Sequence, residues 1–181
     1  MPSWFDIPEI PITANSPVDG SSLLKAVQSV HSMIDKELAA GTDPKNVFLC
    51  GFSQGECVYT SVVCKLNSTN IIMNVAGALT LASTLLYPKT LGGGAVFSGW
   101  VPFNSTGSII EQITAEAKRT PILWSHGTAD GTVLFEAGQA GPPFLQQLGM
   151  NCEFKVLLTL PHLQYHERFN FSFDLVEGHF R

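Results

Sequence analysis

The sequence predicts an α/β fold, a single domain over residues 1–181 in which a mostly parallel sheet carries helices on both faces. Short apolar runs bounded by glycine and proline alternate with segments of helical periodicity, an order typical of parallel βαβ units. No internal repeat or low-complexity linker divides the chain. With 181 residues, 45% of them hydrophobic and 14% charged, the chain can bury one substantial core.

The first predicted element is an amphipathic helix. Apolar residues recur at three- and four-residue spacing over 23–38, which places them on one helix face. Asp19 or Ser21 can cap its amino end, and Gly41 follows its carboxyl end.

The other elements alternate along the rest of the chain. Buried strands are predicted from apolar runs at 47–50, 95–97, 121–125 and 152–157. Helices are predicted at 78–86, at 109–118 and, broken by a Gly-Pro-Pro sequence, at 133–148, and Pro88 stops the first of them.

Charge and composition exclude several classes of protein. A net charge of −5 with only ten scattered Lys and Arg argues against a nucleic-acid binder, because neutralising phosphates needs clustered basic residues. We see no signal or transit peptide and no apolar run of membrane-spanning length, so a cytoplasmic location is expected. The four cysteines lack metal-ligand spacing, and we expect reduced, mostly buried thiols without a metal site.

The segment 47–55 carries the strongest functional signal. Its apolar run ends in Gly51-x-Ser53-x-Gly55, the pattern of a nucleophile elbow, in which a sharp strand-to-helix turn exposes a serine. The glycines let neighbouring backbone pass close to the strained turn. The pentapeptide alone also occurs in ordinary loops, but here it directly follows a predicted strand, which makes the nucleophile elbow the favoured interpretation.

Three residue types needed for hydrolysis fall at the carboxyl ends of predicted strands. Ser53, Asp130 and His162 occur in the chain order of a Ser-Asp-His triad, in which the histidine takes the serine proton and the carboxylate orients the histidine. Asp130 lies in a sequence that equally suits a plain turn. His166 and His179 compete with His162, and His126 is favoured as a structural histidine about three to one.

On these motifs the chain resembles the acyl-protein thioesterase and carboxylesterase family of small α/β-hydrolases, most closely its plant members. The matching stretches are 2–6, 21–41, 47–55, 77–103 and 120–154. The resemblance implies an α/β-hydrolase fold and a cytosolic serine hydrolase without a cofactor. Its substrates would be palmitoylated proteins, lysophospholipids or small acyl esters. It assigns the nucleophile to Ser53, the carboxylate to Asp130 and one oxyanion-hole donor to the N–H of Gln54.

The chain departs from the family pattern at its start and after the elbow. The start of the chain matches a position well inside the sequences of family members. The fold is therefore expected to be incomplete, without the early strands and the His-Gly loop of the oxyanion hole. The missing strands predict an open sheet edge. Residues 56–76 are an atypical insertion whose β-branched residues weaken the expected elbow helix. A helix sharing Cys57 and Cys64 on one face stays open, and Asn67 to Asn70 suggests a loop.

The segment 158–181 departs as well. The family's Gly-His-Ser segment is not present, although His162 falls where the family's histidine would lie. Alternating apolar residues from Phe169 to Leu175 predict a strand where the family has a helix. A changed transcript or gene model would explain all three departures.

Two functions follow from this sequence. The first is a serine esterase or thioesterase that uses Ser53, His162 and Asp130. The second is a catalytically silent or poorly folded relative that acts, if at all, by binding partners. Apolar residues over 100–103 line an acyl groove in the first case, although such residues are core about two times in three.

Overall fold

The sheet is built around the strand that ends at the elbow serine. The computed structural model describes residues 4–7, 9–53, 63–65, 71–103, 107–159 and 161–162. Within these residues six strands form one sheet, in the order β2-β3-β1-β4-β5-β6. They are β1 (Val47–Phe52), β2 (Val63–Lys65), β3 (Ile71–Val75), β4 (Gly93–Phe97), β5 (Ile122–Gly127) and β6 (Cys152–Leu157). All neighbours are parallel except β2 and β3, so the predicted mostly parallel sheet is confirmed.

Five α-helices accompany the sheet in the described residues. They are α1 (Gly20–Ala39), α2 (Gly77–Leu86), α3 (Gly107–Ile110), α4 (Phe135–Gln139) and α5 (Gly141–Gln147). Single 3₁₀ turns occur at Pro44–Asn46 and Ala117–Arg119. The break between α4 and α5 confirms the prediction of a broken helix over 133–148.

Helix α1 forms as its sequence predicts. The Asp19 carboxylate accepts a hydrogen bond of 2.9 Å from the N–H of Ser21 and so caps the amino end. The apolar stripe is buried, and Gly41 adopts a φ of 99°, the left-handed conformation that ends many helices. The prediction of this helix is confirmed.

The helix predicted over 109–118 is mostly wrong. Only α3 and the 3₁₀ turn at Ala117–Arg119 are helical, and turns join them. The Thr114 hydroxyl accepts a hydrogen bond of 3.0 Å from the Ala117 N–H, and the Ile113 N–H bonds to the Ile110 carbonyl. Threonine side chains compete with helical hydrogen bonds in this way, because they offer the backbone another partner.

The inserted segment contributes two strands that the sequence analysis missed. β3 pairs in parallel with β1, from Val47 opposite Ile71 to Gly51 opposite Val75, and β2 pairs antiparallel with β3. The edge of β1 is therefore not open, because an apolar, β-branched run from the insertion pairs with it, and in the described sheet β2 is the edge strand on this side. Cys64 lies in β2, which excludes the helix that it would share with Cys57. Residue 57, the loop predicted at 67–70 and the strand predicted at 169–175 lie outside the described residues.

The buried side chains of β3 join the main core. Ile71, Met73 and Val75 are at most 3% exposed and belong to the same apolar cluster as α1, α2 and β1. Cys50 is buried and Cys152 is half-buried. Burial raises the pKa of Cys152 to about 12. In the described part of the chain no helix is both long and apolar enough to span a membrane.

Candidate active site

Ser53 lies at the carboxyl end of β1, in a strained backbone conformation. Its φ is 47°, in the left-handed region that non-glycine residues rarely adopt. The Ser53 N–H donates to the Phe97 carbonyl at 2.9 Å, and its carbonyl accepts from the Gly77 N–H at 2.7 Å. These two bonds hold the backbone in place on both sides of the serine, as a nucleophile elbow requires.

Helix α2 begins against this turn, although the inserted residues separate the two in sequence. A Cβ at Gly77 would lie 2.9 Å from the Phe97 carbonyl oxygen and 3.2 Å from the Ser53 nitrogen. A Cβ at Gly51 would collide with the Ala76 carbonyl and the Thr80 hydroxyl. Both positions therefore need glycine for close backbone approach. Gly55, the second glycine of the motif, lies outside the described residues.

The Asp130 carboxylate serves a turn and a histidine at once. Its Oδ1 accepts backbone hydrogen bonds from Thr132 at 3.0 Å and Val133 at 2.9 Å. Its Oδ2 lies 2.8 Å from His162 Nδ1. The sequence left a turn role and a catalytic role equally open for Asp130, and the geometry accommodates both.

A tight turn after β6 brings His162 to Asp130. The Thr128 N–H bonds to the Leu157 carbonyl, and the Thr159 N–H bonds to the Thr128 hydroxyl, each at 3.0 Å. Thr159 itself has a φ of 58°, which reverses the chain direction. The chain thus returns from the end of β6 to the loop that follows β5, where Asp130 lies.

The His162 ring also packs against the residue that precedes the serine. Its centroid lies 4.8 Å from that of Phe52, and the His162 side chain is 12% exposed. Because Nδ1 faces the Asp130 carboxylate, Nδ1 carries the proton in this pair and Nε2 is the basic nitrogen. Ser53, Asp130 and His162 therefore gather at one edge of the sheet. Gln54 and the competing His166 and His179 lie outside the described residues.

The electrostatics of this edge favour an ionised carboxylate. Burial alone would raise the pKa of Asp130, but the hydrogen bond and charge of His162 and the two backbone amides outweigh it, and the pKa lies below its usual value. Burial lowers the pKa of His126, which is fully buried beside Asp130. No group of three metal-ligating side chains occurs among the residues that the structure describes.

The apolar residues after β4 pack in or against the core, and two of them also line a cavity. Trp100 is buried against the Phe5 ring, with centroids 6.0 Å apart. Phe103 is also buried in the core, and with the partly buried Val101 and Phe144 it lines an open cleft of about 680 Å³. Trp100 and Phe103 are therefore core, and Val101 and Phe103 also contact a cavity.

Comparison with known proteins identifies the family. The family model described as Phospholipase/Carboxylesterase matches residues 1–76 and 75–176. This chain belongs to the phospholipase/carboxylesterase family. Both the resemblance inferred from the elbow and the α/β-hydrolase fold are thereby confirmed.

Relatives in this family are named as esterases and thioesterases. The chain is 62% identical over 162 residues to a probable carboxylesterase SOBER1-like protein of Arabidopsis thaliana, covering 90% of this chain and 53% of the relative. It is 32% identical over 158 residues to acyl-protein thioesterase 1 of Cryptococcus neoformans, covering 87% and 56%. The crystal structure of Arabidopsis thaliana SOBER1 superposes with a TM-score of 0.74 at 58% identity, over 90% of this chain and 66% of that one. The chain thus spans about half the length of the curated relatives it matches.

Two residues near the candidate site were not assigned to it from the sequence. Gly77 has no role that the sequence alone indicates, because its contact with Ser53 depends on the strand pairing of the insertion. His126 was interpreted as structural, and it is indeed buried with its ring bonded to backbone. The sequence signal for His126 is its position at the end of a predicted buried strand, four residues before Asp130.

Proposed function

We propose that this chain is a serine hydrolase that cleaves carboxylic esters or thioesters. The observation that carries the proposal is the 2.8 Å contact between His162 Nδ1 and Asp130 Oδ2, at the sheet edge where Ser53 lies in its strained turn. A carboxylate, a histidine and a serine at one edge are the groups that acyl transfer by a triad uses. The family relationship supports the same chemistry.

The proposed reaction proceeds in two steps. Ser53 Oγ attacks the acyl carbonyl while His162 Nε2 takes its proton, and the protonated histidine then gives this proton to the leaving alcohol or thiol. Asp130 keeps the His162 ring in the tautomer with hydrogen on Nδ1 and stabilises its positive charge. A water activated by His162 then releases the acyl group from Ser53.

The oxyanion that forms in each step needs hydrogen-bond donors. The Gln54 N–H is the proposed donor, because it follows the nucleophile directly in the chain. Helix α2 supports this role, since its amino end begins at the Ser53 carbonyl and its dipole favours negative charge there.

Substrates of this proposed enzyme are acyl esters or thioesters, with palmitoylated proteins and lysophospholipids as the finer candidates. The names of the relatives support both an esterase and a thioesterase reaction. We propose a cytoplasmic location, as the resemblance to acyl-protein thioesterases implies.

Labelling with a fluorophosphonate probe tests the proposal, because such probes react with an activated serine. We expect the folded protein to be labelled, and Ser53→Ala and His162→Ala to abolish labelling. Ser98→Ala is a matched control, since Ser98 directly follows the neighbouring strand β4, has a φ of 45° and is also buried. Its labelling should persist. His166→Ala decides between the two candidate histidines.

Two results would contradict the proposal. Labelling that survives in Ser53→Ala would place the reactive serine elsewhere. A folded wild-type protein that is not labelled at all would favour the catalytically silent relative. If labelling follows the expected pattern, hydrolysis of acyl esters of increasing chain length and of a matched thioester then defines the substrate.

A further inference from the structure

A second histidine lies beneath the Asp130 loop, on the side away from solvent. His126 is completely buried at the end of β5. Its Nε2 lies 2.9 Å from the Val133 carbonyl oxygen and 3.6 Å from Asp130 Oδ2. The first distance is a hydrogen bond, whereas the second is too long for one.

The tautomer of His126 follows from these partners. A carbonyl only accepts, so Nε2 carries the hydrogen and donates it to Val133. Nδ1 is then an unprotonated nitrogen, and it has no hydrogen-bond partner among the described residues. It lies against Gly138, where an added Cβ would collide with the ring. The ring is therefore held tightly, in the neutral form.

Val133 is the residue through which His126 reaches the carboxylate. The Val133 carbonyl accepts from His126, and the Val133 N–H donates to Asp130 Oδ1 at 2.9 Å. The Ile12 N–H bonds to the Thr132 carbonyl, and the Leu134 N–H bonds to the Ile12 carbonyl. The loop is thus held by the His126 side chain and by the backbone of a second segment at Ile12.

We propose that His126 is a positioning residue that fixes the Asp130 carboxylate for its bond to His162. Holding the Val133 backbone keeps two N–H groups on Oδ1, which leaves Oδ2 aimed at His162 Nδ1. His126 does not contact substrate in this arrangement and acts only through Asp130. Its effect on hydrolysis rests on the proposed function, whereas its effect on the Asp130–His162 bond does not.

A matched pair of amide variants separates positioning from packing. His126→Gln keeps an N–H donor at the same number of bonds from the backbone as Nε2, whereas His126→Asn carries the same amide one methylene short of the Val133 carbonyl. We expect the His126→Gln variant to react with the fluorophosphonate probe at a rate within about threefold of that of the wild-type protein. We expect the labelling rate of His126→Asn to fall at least tenfold, because the loop that carries Asp130 is no longer held at Val133.

A proton NMR measurement gives a second readout that does not need catalysis. A histidine Nδ1–H bonded to a carboxylate gives a strongly downfield resonance, which His162→Ala identifies by its loss. This resonance should persist in His126→Gln and broaden or disappear in folded His126→Asn. If the wild-type protein shows the resonance but is not labelled, the proposed function fails, and the NMR comparison still decides the role of His126.

Equal behaviour of the two variants would overturn the proposal. If Asn and Gln retain the resonance to the same extent and label at the same rate, His126 only fills space. If Asn fails to fold, Gln decides, because a folded Gln variant without the resonance would show that the donor to Val133 is not what fixes Asp130.

Discussion

The carbonyl oxygen of Ser53 accepts a 2.7 Å hydrogen bond from the N–H of Gly77, across the whole inserted segment. The strand and the helix of the elbow therefore meet in space without being consecutive in the chain. β3 makes this possible, because it runs parallel to β1 and is followed directly by α2. Helix α2 therefore begins at the edge of the sheet where β1 ends.

We predict that Gly77→Ala destabilises the protein by about 1–3 kcal/mol, the usual cost of overpacking. The added Cβ would lie 2.9 Å from the Phe97 carbonyl and 3.2 Å from the Ser53 nitrogen, so α2 must move away from the elbow. Urea unfolding measures the change. Gly20→Ala is the control, because nothing lies within 4 Å of its added Cβ and the substitution should be neutral or stabilising. Equal stability of both variants would contradict this prediction.

We predict that Met73→Ala costs about 2–5 kcal/mol, as for a core methionine. Met73 is fully buried in β3, opposite Leu49 of the nucleophile strand. If the inserted segment lay only on the surface, Met73→Ala would have little effect on stability. Met33→Ala on α1 is the control, since Met33 is only partly buried and should lose less. The free energy of unfolding from urea titrations distinguishes the two, and a loss in Met73→Ala no larger than in Met33→Ala would exclude β3 from the core.

Local sequence patterns predicted those parts of the fold that depend on neighbouring residues. Helix α1 and strands β1 and β5 follow from apolar spacing and caps, and the elbow follows from the glycines around Ser53. Strand β3 could not be predicted in this way, because its pairing depends on an edge of β1 that only the folded sheet presents. The helix predicted over 109–118 does not form as a whole, because the Thr114 hydroxyl accepts a backbone hydrogen bond in place of a helical carbonyl. The spacing of apolar residues carries no information on this competition.

The sequence indicated the three candidate site residues with different strength. Ser53 follows from a motif that is complete within five residues. Asp130 was ambiguous, because the same four-residue sequence suits a turn and a catalytic loop, and its carboxylate in fact has one oxygen for each. His162 was chosen by its position after a strand, and its contact with Asp130 depends on the turn at Thr159 that no motif marks.

We predict that Asp130→Asn lowers the rate of fluorophosphonate labelling by about 10³- to 10⁴-fold, as for an orienting carboxylate in a triad. An amide cannot stabilise the positive charge on His162, and it favours the wrong tautomer of the ring. Asp19→Asn is the matched control, because Asp19 caps α1 and asparagine caps helices equally well. Its labelling should stay at the wild-type rate. Labelling of Asp130→Asn within tenfold of wild type would remove Asp130 from the mechanism.

The last prediction concerns acid stability. Burial lowers the pKa of His126, so the folded protein keeps it neutral while the unfolded chain binds a proton below about pH 6.5. The unfolded state then binds more protons, and stability is lost as the pH falls from 6.5 towards the folded pKa, by up to about 1.4 kcal/mol for each pH unit. Asp130 contributes at lower pH, because the stabilisation from its depressed pKa is fully present above about pH 4 and is lost as the pH falls through the folded pKa.

Urea unfolding between pH 7.5 and 5 measures this loss in the wild-type protein and in His126→Gln. Glutamine does not titrate, so the stability of the variant should fall less steeply over this range. Burial also lowers the pKa of His31, which bonds to the Ser83 carbonyl, and His31→Gln should remove a second, separate part of the slope. The two effects should add, because the residues lie in different contacts. Parallel curves for wild type and His126→Gln would mean that His126 is already charged in the folded protein, which its donor bond to Val133 and its buried Nδ1 argue against.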